Sequence, residues 1–245
     1  MLKVENVEVL GWDAAIRGMR NPLNSWEKSD SQFVRDPDYG CFGVCPCAEL
    51  VDCDCCHVGP NDLKLMNTLR NAGTDHRKFM RMITVYLDIA APLYWWKEFD
   101  TYKVGTVANS CSTMHKIADK EFTLEDFSHE HLLSMANNDA GDALFLNDAN
   151  NIRVDGDDLL GLIINVLNYY RGRYIKTKDK RYWWQLIQLL PSSYNQKRTV
   201  MLNYEVLANI YKSRRHHKLD EWHTLCDRIE SLPYSKLITG GVVDE

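Results

Sequence analysis

Apolar and polar positions alternate with period two at the start of the chain, where Val4, Val7 and Val9 are interleaved with Glu5, Asn6 and Glu8. This predicts a short strand over residues 3–10. Trp12 to Met19 then carries a helical pattern, with Asp13 near its start and Asn21-Pro22 to end it. Residues 24–40 are polar and rich in turn formers, which predicts a loop. Periodicity resumes with Leu63, Leu65, Met66 and Leu69 behind an Asn61-Asp62 cap, and Gly73 closes that helix. Phe79 to Ile89 places Ile83, Val85, Leu87 and Ile89 at period two, a buried strand stopped by Pro92. A helix starts at Leu93.

The second half is predicted to be mostly helical. Thr123-Leu124-Glu125-Asp126 reads as a capped helix start. Residues 137–157 are loop-like around a short apolar island. Leu159, Leu160, Ile163, Ile164, Leu167 and Tyr170 then define an amphipathic helix over 157–177. Further helices are predicted over 182–190, 199–212 and 218–231, with a frayed tail from Gly240-Gly241. No repeat and no clean linker divides the chain. The fold expected is α+β: a helix-rich single domain over 1–245 with a small central sheet and a Cys-rich insertion at about 36–60.

Composition narrows the function classes. The 245 residues are 45% hydrophobic and 26% charged, as in an ordinary globular chain. A net charge of -5, from 29 basic and 34 acidic residues, argues against a duplex nucleic-acid coat while allowing a local basic pocket. No apolar run is long enough to span a bilayer, and the N-terminus has no signal-peptide core, so a cytoplasmic location with no membrane partner is expected.

Six of the eight cysteines, Cys41, Cys45, Cys47, Cys53, Cys55 and Cys56, crowd one segment and precede His57. Thiolates in this density suit zinc or another thiophilic ion, although only Cys53 and Cys56 have the two-residue gap of a zinc knuckle. A metal-free thiol-rich insertion and disulfide pairing are the alternatives the spacing leaves open. The paired indoles of Tyr94-Trp95-Trp96 and Tyr182-Trp183-Trp184 point about 100° apart on a helix. At least one pair is therefore expected in a core. Thr101 to Thr113 is built of small and hydroxyl residues around Lys103, a composition that lets backbone amides approach a phosphate. It is not a P-loop. Asn203 and Asn209 fall about 120° from alignment on a helix. Arg214-Arg215-His216-His217 places positive charge at that helix's C-terminal end, where Arg214 is a candidate bidentate clamp. No nucleophile–base motif is present.

Leu190-Pro191, Asn203, Leu207, Asn209 and Arg214 together resemble the C-terminal half of the flavin-dependent thymidylate synthases, the ThyX family. Upstream, Pro92, Thr101-Tyr102-Lys103 and Asn109 to Ser112 fall where that family has a proline, an Arg-His-Arg signature and a following serine segment. The resemblance implies a homotetramer with sites at subunit junctions. It also implies FAD reduced by NADPH, and one-carbon transfer from methylenetetrahydrofolate to C5 of a deoxyuridine nucleotide. On the matched positions, Asn203, Asn209 and Lys103 would hold flavin. Arg214, Lys97 and Ser112 would hold the nucleotide, and Ser112, Lys103 and Tyr102 would occupy the catalytic positions. The chain departs from the pattern at Thr101-Tyr102-Lys103, at Lys97-Glu98 and at Glu205, which stands where the family has an arginine. These departures give a second expectation, a non-catalytic nucleotide-binding protein (a sensor or sponge) on the same scaffold.

Overall fold

The computed structural model describes residues 2–33, 52–53, 56–134, 144–147 and 152–240, with backbone only at 52, 53, 56, 144–147, 152 and 153. The elements in chain order are β1 (Lys3–Leu10), α1 (Trp12–Arg20), β2 (Gln32–Phe33), β3 (Asp52–Cys53), β4 (Cys56–His57) and α2 (Pro60–Asn71). Then come β5 (Thr84–Pro92), α3 (Leu93–Phe99), β6 (Val107–Ser110), β7 (Leu144–Asn147), β8 (Ile152–Val154) and α4 (Gly156–Thr177). The chain continues with α5 (Lys180–Leu189), β9 (Asn195–Asn203), α6 (Tyr204–Arg214), α7 (Asp220–Glu230) and α8 (Lys236–Thr239). The architecture is α+β and helix-rich, with a small central sheet, as the sequence predicts. Strand order is β3-β1-β5-β9-β6; β1 runs antiparallel to β5 and parallel to the two-residue β3.

Two compact units divide the contacts. One comprises Ala91–Glu98 and Ser110–Lys197; the other comprises Leu2–Ala90, Phe99–Asn109 and the chain from Arg198 onward. In the first, α4 and α5 enclose Leu160, Leu167 and Leu186 with Ile117, Phe122 and Phe127. Trp95 and Trp96 are fully buried in this unit, with their rings edge to face at 4.9 Å, so the first indole pair is core as expected. Trp184 of the second pair is 43% exposed. The two helices are joined through Lys178, the C-cap of α4, at φ 57° in the left-handed region. A non-glycine residue there costs about 1–2 kcal/mol.

In the second unit, α1 starts at Gly11 with φ 94°, where an added Cβ would lie 2.2 Å from the Met82 carbonyl oxygen, so only glycine fits. Trp12 packs edge to face on Tyr204 and Tyr234, at 5.4 and 5.2 Å, among buried Ile16, Leu207, Ile210 and Trp222.

Several expected boundaries move, each for a local reason. Residues 199–203 form a strand rather than a helix, because Gln196, Val200 and Leu202 bury at alternate positions and Asn203 caps α6. Residues 77–81 form a 3-10 turn, and β5 starts only at Thr84. Residues 124–126 form one 3-10 turn closed by a Thr123–Asp126 capping box. The apolar island at 144–147 pairs with 152–154 as an antiparallel ribbon instead of a loop. Asn61-Asp62 does not cap α2. Gly59 is the N-cap with Pro60 at the first helical position. The Asp30 carboxylate accepts from the Asn61 and Asp62 N–H groups, at 2.9 and 3.1 Å.

Asp62 is instead fully buried. One carboxylate oxygen accepts from Arg20 Nε at 2.6 Å, and the other from Ser29 Oγ, Ser31 Oγ and the Asp30 and Ser31 N–H groups. Arg20 spends its remaining donors on Ser25 and the Lys28 carbonyl. Burial pushes the Asp62 carboxyl up, but the hydrogen bonds from Ser31, Ser29 and Arg20 outweigh it and hold it below the ordinary carboxylate range. A depressed folded-state value means that the ion adds stability at pH above its unfolded value, and that this is lost as pH falls through the folded one. Asp62→Ala is therefore expected to cost about 3–5 kcal/mol in urea denaturation, by stranding the Arg20 charge. Asp62→Asn should flatten the acid limb of the stability–pH curve below about pH 4 relative to the unsubstituted chain.

Candidate functional site

The late asparagine-and-arginine segment organises the second unit. Asn203 ends β9 and its side-chain oxygen accepts from the Val206 N–H at 3.0 Å, so it acts as the N-cap of α6. Its side-chain nitrogen would lie 2.9 Å from a Cβ placed on Gly105, a residue at φ 76°. Glycine at 105 is what lets the 101–109 segment approach the cap this closely.

Beyond the cap, Asn209 and Arg214 leave α6 about 140° apart in azimuth. Asn209 lines one cavity, and Arg214 packs on Tyr102, which lines another. Asn209 and Lys212 of α6 are joined by Arg215 and His216 just beyond its end. With Arg70 from the end of α2 and Arg77 from the following turn, they line a cavity of ≈ 390 Å³. Arg77 Nε pairs with the buried Glu205 carboxylate at 3.0 Å. Arg215 reaches Asp227 at 2.6 Å and Glu230 at 3.4 Å, and its guanidinium is held above its ordinary pKa chiefly by the Asp227 hydrogen bond. Arg70 is different: it donates to the Leu237 and Ile238 carbonyls and to Asn71, and has no carboxylate partner among the described residues. Burial, with Arg77 close by, pushes its pKa down. Lys212 is exposed and also has no carboxylate partner among the described residues. The cavity thus holds about two positive charges not matched by carboxylates, a donor set suited to a diphosphate or two phosphoryl oxygens.

Arg214 turns the other way. Its guanidinium lies over the Trp222 ring at 4.7 Å and over the Tyr102 ring at 5.7 Å, and its Nε donates to the Tyr102 hydroxyl at 3.0 Å. Phe99 stacks against Trp222 from the same unit, with centroids 6.4 Å apart. Cation–π contact on two rings fixes the plane of the guanidinium. Tyr102 and Lys103, with Phe99, Asp100, Thr106 and Ala108, line a second cavity of ≈ 270 Å³. The Thr106 hydroxyl oxygen is buried with no hydrogen-bond partner among the described residues, a state that a bound polar group would relieve. Asp100 is committed to Arg198 at 2.7 Å.

The structure therefore places Tyr102 and Lys103 at one hollow with Arg214 packed on Tyr102, assigns Asn209 to another hollow, and makes Asn203 a cap. Lys97 and Ser112 belong to the other unit. Lys97 is exposed on α3, and the Ser112 hydroxyl oxygen accepts from the His115 N–H at 3.0 Å. The side chains of Cys41, Cys45, Cys47, Cys53, Cys55 and Cys56 lie outside the described residues, and so does the zinc expectation. No cluster of three metal-ligating side chains occurs among the described residues. Sequence reasoning missed Arg70, Arg77, Lys212, Thr106 and Trp222. Only the Asn209–Lys212 spacing on one helix face was available to point at the larger cavity.

Neither a protein-family model nor a curated protein sequence matches the chain. Solved structures do match in fold. One is Thymidylate Synthase X (ThyX) from Helicobacter pylori with FAD and dUMP, at TM-score 0.61 and 16% identity over 98% of each chain. A second structure of the Helicobacter pylori flavin-dependent enzyme with FAD and dUMP gives 0.59 and 17%, covering 96% of this chain and 99% of that one. The UMP/dUMP methylase PolB from Streptomyces cacaoi, bound with 5-Br UMP, gives 0.54 and 14%, covering 94% and 88%. At these identities the likeness is one of fold. No helix among the described residues is long and apolar enough to cross a membrane.

If the larger cavity is an anion site, inorganic phosphate should raise the melting temperature by about 2–4 °C over chloride at equal ionic strength. Lys212→Glu should remove most of that increment while leaving the melting temperature in chloride nearly unchanged, as read by differential scanning fluorimetry.

Proposed function

We propose that the chain binds FAD and a pyrimidine nucleotide and modifies that nucleotide, by thymidylate synthase-like one-carbon transfer to C5 of a deoxyuridine nucleotide. The reading rests on one conjunction. The chain shares its fold with proteins crystallised with FAD and dUMP, and of the residues matched to that family's pattern Asn209 lines one cationic hollow and Tyr102 and Lys103 line another. Flavin, when bound, supplies the redox chemistry, with NADPH and methylenetetrahydrofolate as the co-substrates the family chemistry requires.

The chain's own residues would divide the binding work by charge. Arg70, Lys212 and Asn209 suit the flavin diphosphate, because their unmatched charge is about equal to that of the group they would hold. Glu205 does not count against this, since Arg77 neutralises it at 3.0 Å. Arg214 suits the nucleotide phosphate, because its guanidinium is a planar donor group whose plane is set by Trp222 and Tyr102. Lys103 adds a mobile point charge at the hollow that Tyr102 lines, and the Thr106 hydroxyl a further polar contact. On the family resemblance, Ser112, Lys103 and Tyr102 would take the catalytic positions and Lys97 and Ser112 would contact the nucleotide, and a homotetramer is the assembly this proposal assumes.

A second reading is favoured by one observation. Where the family signature has two arginines and a histidine, this chain keeps a single cation, Lys103, and the Tyr102 hydroxyl is occupied with Arg214. A non-catalytic nucleotide-binding protein needs only the anion sites and not the flavin.

The two readings separate on a spectrum. Purified or FAD-reconstituted protein should absorb at about 450 nm under the first reading. Colourless protein that still binds dUMP supports the second, and loss of both activities overturns the proposal. Arg214→Ala should weaken dUMP binding by about 10- to 100-fold in calorimetry, the equivalent of a charge-assisted bond. Arg214→Lys, which keeps the charge on the aromatic pair, should retain part of the affinity.

A further inference from the structure

The first unit carries a cavity that the proposed function does not use. At ≈ 570 Å³ it exceeds both hollows of the second unit. It sits where α4 meets α5 and is lined by Tyr174, Trp183, Lys178, Lys180, His115 and Met114, among others. The Trp183 indole N–H donates to the Met114 carbonyl at 3.1 Å, which fixes that ring against the 112–119 segment. Lys180 Nζ lies 5.9 Å from the Trp183 centroid and 5.7 Å from that of Trp184, and Lys178 Nζ lies 5.8 Å from that of Tyr174. Neither lysine has a carboxylate partner among the described residues. The nearby carboxylates are committed elsewhere, Asp119 to Lys116 at 2.9 Å and Asp179 to Arg181 at 2.7 Å.

The backbone adds an independent observation. Lys178 holds the left-handed C-cap position, where its N–H donates to the Tyr174 carbonyl at 2.8 Å. Glycine or asparagine is the residue this position favours. A lysine there accepts backbone strain, yet its ammonium makes no ion pair that would offset it. Its described side-chain contact, the Tyr174 ring at 5.8 Å, is a small return for that strain, and an anion bound by the ammonium would add to it.

We propose that this cleft binds a small planar aromatic anion, its ring against Tyr174 and Trp183 and its phosphate or carboxylate between Lys178 and Lys180. Each component matches the other: partly exposed aromatic rings suit stacking, and two ammonium groups over those rings, without a carboxylate partner among the described residues, suit one anionic group. The site is distinct from the flavin and nucleotide reading, because none of the residues that line it is assigned to flavin or nucleotide there.

Adenosine 5′-monophosphate is a suitable probe, with adenosine and inorganic phosphate as its two halves. In protein labelled at tryptophan with ¹⁵N, the indole resonances of Trp183 and Trp184, assigned through Trp183→Phe and Trp184→Phe, should shift saturably with the monophosphate. They should respond at least about tenfold more weakly to either half alone. Lys180→Gln and Lys178→Gly should each weaken the titration by about tenfold. Lys178→Gly should at the same time raise the melting temperature by about 2 °C, since it relieves the left-handed strain. An Arg214→Ala, Lys212→Glu double variant should titrate as the unsubstituted chain does at these two indoles. Indoles that do not move, that follow adenosine as strongly as its monophosphate, or that titrate unchanged in Lys180→Gln would overturn the site. So would loss of the shifts in the double variant, which would place the binding in the other unit.

Discussion

The seating of α6 is the constraint on which the second unit depends. Tyr204 to Ala208 and Ile210 are all buried, so the helix is enclosed on most of its circumference. Its start is fixed three ways: the Asn203 cap, the Tyr204 N–H donating to the Ile83 carbonyl at 3.1 Å, and the Tyr204 hydroxyl donating to the Pro233 carbonyl at 2.6 Å. Its end is fixed by Arg214 on Trp222 and Tyr102. A helix held at both ends cannot rotate to bring Asn209 and Arg214 to the same side. The spacing that makes the segment resemble one binding motif is thus realised at two places, about 140° apart around one axis.

Charge is handled in two contrasting ways across this unit. Asp62 accepts five hydrogen bonds, and its partner Arg20 is buried with every donor group engaged. That network is complete and needs no ligand, which is the condition under which a buried ion pair is tolerated. Around Arg70 the accounting is open. Two guanidinium groups sit near one another, and only Arg77 has a carboxylate of its own. Glu205 illustrates how position decides meaning. In the sequence it is an acidic residue where the resembled family has a base, and it counts against anion binding. In the fold it is a buried counter-ion that lets Arg77 stand beside Arg70.

Legibility followed the range of the interactions. The strand at 3–10, the long helix α4 and the buried Trp95-Trp96 pair were readable because local period and bulk decide them. Within the helix expected over 199–212, residues 199–203 belong to the strand at 195–203. Its Val200 and Leu202 alternate correctly, but the apolar residues of α6 continue the series without a break, and only Asn203 marks the change. Asp62 was read as a cap because it stands at a helix start, whereas the true cap comes from Asp30, 32 residues away in sequence. The site shows the same division. Tyr102, Lys103 and Arg214 were legible through the resemblance, and Arg214 does meet Tyr102. Arg70, Arg77 and Trp222 were not, since no spacing relates residue 70 to 212 or 214 to 222 before the fold exists.

The same reasoning separates residues that serve the fold from those that do not. Gly11 and Gly105 take left-handed backbone where a side chain would collide, so the sequence concedes to the structure. Lys178 takes left-handed backbone where glycine would be easier, and Thr106 buries a hydroxyl without a partner. Neither cost is offset by an ion pair or hydrogen bond of that side chain among the described residues, and each lines a cavity that also holds positive charge or an aromatic wall. A marginally stable domain retains few such costs by chance, because one or two kcal/mol is a large share of its stability. Their position at two cavity linings is the physical reason to look for ligands at both the elbow of α4 and α5 and the hollow beside Tyr102.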